Sequence, residues 1–132
     1  MHFTQGLADF ATYFGMGLGF MVLYVVLYLY ATPHREITLI RGDNLPAAVV
    51  LAGALLGFAL PLANALRVAS GVLGVAAWAF IALVAQLAAY ALVAMLLKDF
   101  PKRINRGEMA AAVLAAAIHV SVGLVNSAAM NY

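Results

Sequence analysis

Apolar residues fill four long blocks of this chain, over 6–31, 45–66, 68–97 and 109–130, and polar residues gather in the three short connections between them. A helix needs about 20 apolar residues to cross a hydrocarbon core about 30 Å thick, so each block predicts one membrane span. The first ends at Thr32-Pro33-His34-Arg35-Glu36, where proline and a polar run stop a helix. The second opens with Asp43 or Asn44 as N-cap and Pro46 in the first turn, and ends before Arg67. The third would be about 45 Å long as a straight helix, so it must tilt or break, with Gly71 and Gly74 as the expected place. The fold class is therefore all-α integral membrane, a single membrane domain over 1–132.

Two connections repeat one another. Leu39-Ile40-Arg41-Gly42-Asp43 and Ile104-Asn105-Arg106-Gly107-Glu108 lie 65 positions apart, each closing one apolar block and opening the next. This predicts a duplicated helical hairpin, with repeat one over about 6–66 and repeat two over about 71–130. Two spans per copy give both copies one orientation, so the hairpins form a parallel repeat about the membrane normal. In this register Arg41 matches Arg106 and Asp43 matches Glu108; the helix dipole favours an acid at such a position.

Composition narrows the class. With 67% hydrophobic and 9% charged residues and a mean hydropathy of +1.03, the chain lacks the polar surface of a water-soluble globule. Having no cysteine, it has no thiolate chemistry, disulfide or cysteine-bound metal. The basic residues read as topology signals, not as a nucleic-acid footprint: six of the seven lie in the first and third connections and Arg67 alone in the second. The positive-inside rule then places both hairpin turns in the cytoplasm and both termini outside.

Polar groups at membrane depth are costly and mark candidate functional positions. Gln86 lies 12 residues before Lys98, and His119 lies 12 residues after Gly107. Both therefore sit about 18 Å from the cytoplasmic boundary and are expected to hydrogen-bond between spans three and four. An outer-face polar cluster is expected from Asp9, Asn64, Arg67 and Asn126, with Asp9 and Arg67 able to pair. Gly15 with Gly19, and Gly53 with Gly57, are small faces for helix packing, and Pro61 continues the second face. Lys98, Lys102, Arg103 and Arg106 form a cytoplasmic basic loop suited to anionic lipid or a peripheral acidic partner.

No paired intramembrane carboxylate, metal-ligand spacing or phosphate-cradling loop is present, so no enzyme, metal or cofactor is expected. The absence of a midplane carboxylate also sets the chain apart from small multidrug exporters. The segment Tyr30-Ala31-Thr32-Pro33-His34-Arg35-Glu36-Ile37-Thr38-Leu39-Ile40-Arg41, the run from Gly53 to Ala63, the second turn from Arg103 to Ala111 and the tail from Gly123 to Ala128 together resemble the YjfL-type family of bacterial inner-membrane proteins. That resemblance implies a duplicated two-helix domain of unknown function in the bacterial cytoplasmic membrane. It also implies genetic company with membrane-maintenance proteins and polyamine-related enzymes. The reading is an oligomeric scaffold supporting membrane or envelope integrity, with a channel or transporter for a small cation or polyamine as the alternative.

Overall fold

The computed structural model describes residues 2–32 and 36–130; the helix stop at Pro33 and the charge of Arg35 lie outside the described residues. The element order is α1 (His2–Ala31), α2 (Glu36–Arg41), α3 (Leu45–Val68), α4 (Gly71–Leu96), α5 (Phe100–Asn105) and α6 (Met109–Ala129). The protein is an all-α membrane protein in which α1, α3, α4 and α6 are long and apolar enough to span. The short helices α2 and α5 have no counterpart in the pattern of apolar blocks. The hairpin turns define a turn face of the bundle; the α3–α4 connection and the described chain ends lie toward the opposite, terminal face.

Local chemistry fixes the boundaries. Asn44 is the N-cap of α3, its Oδ1 accepting the Ala47 N–H at 2.8 Å, while Asp43 takes the left-handed turn conformation at φ 66°. Toward the terminal face, α3 does not end before Arg67 but continues to Val68. The long third block is thereby cut to the 26 residues of α4, which opens at Gly71 with φ 82°. Gly71 is the break, because glycine alone takes that backbone without strain, and Gly74 lies inside the helix.

The two turns share one bonding pattern. Gly42, Asp43 and Asn44 donate to Thr38, Ile40 and Leu39, and Arg106, Gly107 and Glu108 donate to Lys102, Ile104 and Arg103. These correspondences run at an offset of 64 residues, one fewer than the sequence match, and set Asn44 against Glu108 rather than Asp43 against Glu108. The turns are also tied to each other, since Asn44 Nδ2 donates to the Ile104 carbonyl at 3.1 Å.

α3 and α6 make the closest contact in the bundle, and glycine permits it. A Cβ on Gly53 would lie 2.5 Å from Ala116 Cα, one on Gly57 would strike the His119 carbonyl, and one on Gly123 would strike the Gly57 carbonyl. α1 is the least embedded span and is displaced along its neighbour. Gly17 meets Leu66 and Tyr24 stacks on Phe58 with ring centroids 4.6 Å apart. In this antiparallel register α3 ends near residue 15 of α1, so residues 2–14 rise about 20 Å past that end. At the other end Ala31 stops some 10 Å short of the start of α3. The short α2 lies in that remaining depth.

Candidate functional site

The displacement of α1 leaves Thr32, just past its end, and Glu36, at the start of α2, buried. Glu36 opens α2 and is 1% exposed. Thr32 Oγ1 donates to Glu36 Oε1 at 2.7 Å and lies 3.0 Å from the Tyr28 carbonyl. One hydroxyl proton serves one of those two acceptors at a time. Tyr24 and Tyr28 lie one turn apart on α1 with their ring centroids 5.8 Å from each other. Tyr28 then presents its ring edge-on to both Tyr90, at 5.9 Å, and His119, at 5.7 Å.

Gln86 and His119 are fully buried and close on each other. The Gln86 amide donates to the His119 backbone carbonyl at 3.1 Å, and Gln86 Oε1 lies 2.8 Å from His119 Nδ1. An amide oxygen only accepts, so the ring proton sits on Nδ1 and Nε2 is left outside the pair. Among the described residues, His119 Nε2 and the hydroxyls of Tyr24 and Tyr28 are buried without a hydrogen-bond partner. Thr32 with Glu36 and Gln86 with His119 are thus two hydrogen-bonded pairs, with the rings of Tyr24, Tyr28 and Tyr90 packed between them.

Toward the terminal face, Asn64 Nδ2 donates to the Ser127 carbonyl at 2.8 Å and Asn64 Oδ1 accepts from Arg67 at 3.0 Å. Asn126 lies on the same helix, its Nδ2 buried without a partner among the described residues. Asp9 does not join them and does not pair with Arg67; it accepts from Gln5 at 3.1 Å. The displacement of α1 carries Asp9 beyond the end of α3. On the turn face, Arg103 and Arg106 both bond Glu108, at 2.8 and 2.9 Å. Those two bonds hold the Glu108 carboxyl below its ordinary range.

The family described as Domain of Unknown Function (DUF350) matches residues 1–130. The chain belongs to that family. "UPF0719 inner membrane protein YjfL" of Escherichia coli (strain K12) is 31% identical over 132 residues, covering 100% of both chains, and the protein of the same name from Escherichia coli O157:H7 aligns equally. No solved structure matches.

For this DUF350 chain, sequence reasoning found Gln86 and His119 but missed Glu36, Thr32, Tyr24, Tyr28 and Tyr90. Glu36 was hidden in a charged connection, and nothing in its neighbours signals burial. The tyrosines offered a signal, their spacing of four along span one, which places Tyr24 and Tyr28 on one helix face.

Proposed function

We propose that this protein is an oligomeric scaffold of the bacterial inner membrane that supports envelope integrity, with its turn face in the cytoplasm. The observation that carries the reading is how the glycine faces divide. Gly53, Gly57 and Gly123 are consumed in packing α3 on α6, whereas a Cβ on Gly15 or Gly19 would meet nothing. A small-residue face left open on the outermost span suits contact with another subunit. The inward closure of Gln86 on His119 agrees, since that pair works as interhelical glue. The name of the 31%-identical relative supports location in the inner membrane. Arg103 and Arg106 are committed to Glu108, so Lys98 and Lys102 are the basic side chains offered to anionic lipid or an acidic peripheral partner. No catalysis is assigned.

Subunit counting by single-molecule photobleaching in nanodiscs tests the scaffold. More than one subunit, reduced by Gly15→Leu with Gly19→Leu, is the expected result; a monomer, with no partner lost on neutralising the four basic residues, overturns it. The burial of Glu36 at the start of α2 favours a second reading, passage of a small cation, because buried acids of membrane proteins often line ion paths. Liposome flux abolished by Glu36→Gln would carry that reading, and absence of flux would remove it.

A further inference from the structure

The face by which α1 packs on α3 continues past the point where α3 ends. Gly17, Met21, Tyr24 and Tyr28 make up its inner half, and Gly17, Tyr24 and Tyr28 are buried. Phe14, Phe10, Leu7 and Phe3 extend the same steps of three and four, which is the a/d spacing of a coiled coil. Those four are 53%, 60%, 55% and 79% exposed. One seam is thus covered along half its length and bare along the other. The bare half lies on residues 2–14, which rise past the end of α3; Phe14, at its base, borders the groove lined by Ala63 and Leu66, and a hydrocarbon core of about 30 Å matched to α3 and α6 would end near that base.

We propose that the outer half of α1 pairs with the same segment of a second copy, as a parallel two-stranded coil with Phe3, Leu7, Phe10 and Phe14 at its centre. The proposal rests on the scaffold reading and adds to the open Gly15 and Gly19 face a second surface for self-association, on the other side of α1. A second copy fits better than any other occupant for three reasons. The seam continues an interface that this chain already makes with an apolar helix. It is self-complementary about an axis along the membrane normal, as a two-fold dimer requires. Its flanking positions, Thr4, Gly6, Ala11 and Tyr13, carry no charge, while Asp9 sits on the far side of the helix, where the acids of two copies do not meet.

The absence of native cysteine allows a clean test with single-cysteine variants of the full chain in membranes. Under mild oxidation Leu7→Cys and Phe14→Cys, at the seam, are expected to give covalent dimer at least about fivefold above Asp9→Cys and Gln5→Cys, since a disulfide forms only where Cβ atoms approach within about 4.5 Å. Phe10→Glu, read without cross-linking by photobleaching, is expected to convert most dimers to monomers. Equal cross-linking at all four sites, or none at the seam, overturns the proposal, as does a Phe10→Glu protein that stays dimeric. An oligomer that persists through Gly15 and Gly19 without seam cross-links sinks this inference and leaves the scaffold reading standing. A seam dimer whose disruption leaves the envelope intact does the reverse.

Discussion

Gly57 is the residue on which the interior depends most. Any side chain there collides with the His119 carbonyl and approaches within 2.9 Å of the Gln86 amide nitrogen, so α6 must move and the buried pair must separate. Gly57→Ala is expected to destabilise by about 1–3 kcal/mol through overpacking, despite the better helix propensity of alanine. Unfolding in mild detergent checks this, with Gly15→Ala, where nothing is displaced, as the control. At Glu108 the prediction concerns pH. Hydrogen bonds from Arg103 and then Arg106 lower its carboxyl below the usual range. A depressed folded-state value means that the stabilising contribution is complete above the unfolded-state value and is lost as pH falls through the folded one. The difference in melting temperature between the natural chain and Glu108→Gln is therefore expected at neutral pH and should close on acidification below the carboxylate range. A difference that widens toward acid would contradict the pairing.

At the scale of elements, the four spans were legible because length and apolarity are local properties that a bilayer reads directly. Gln86 and His119 were legible as a pair because each could be counted from a charged boundary along its own helix. What stayed hidden depends on how one element slides against another. The register of α1 on α3 is set by Gly17 against Leu66 and Tyr24 against Phe58, and no count along α1 alone reports it. That register buries Glu36 and separates Asp9 from Arg67. α2 and α5 stayed hidden because six residues are too few to show a period. Asn44 shows how a local cap acquires a tertiary role: its Oδ1 caps α3 and its Nδ2 ties the second turn through Ile104. Asn44→Ala removes both, so a loss above the roughly 1 kcal/mol of an ordinary cap is expected. Asn44→Asp keeps the cap alone and should recover about that cap's worth. Equal losses in the two variants would show that the cap contributes nothing and the tie to Ile104 everything.

For the whole molecule, the distribution of charge decides which way the bundle stands. Arg41, Lys98, Lys102, Arg103 and Arg106 surround the turn face, and Arg67 sits in the last turn of α3 near the terminal face. α3 and α6, about 36 and 32 Å long at 1.5 Å per residue, match a hydrocarbon core of about 30 Å, so both turns reach one interface together and their positive charges add. Retention of Lys and Arg on the cytoplasmic side then predicts that the turn face is inside. Cysteine introduced at the exposed Ser70 is expected to react with a membrane-impermeant thiol reagent in intact cells, and cysteine at the exposed Asn105 only after permeabilisation. The opposite pattern would move the basic side chains and any acidic partner across the membrane, and would turn the bare seam of α1 toward the cytoplasm. The contacts of Glu36, His119 and the α1 seam would be unchanged, because they follow from packing and not from orientation. Labelling therefore tests where the scaffold meets its surroundings, while seam cross-linking tests how it meets itself.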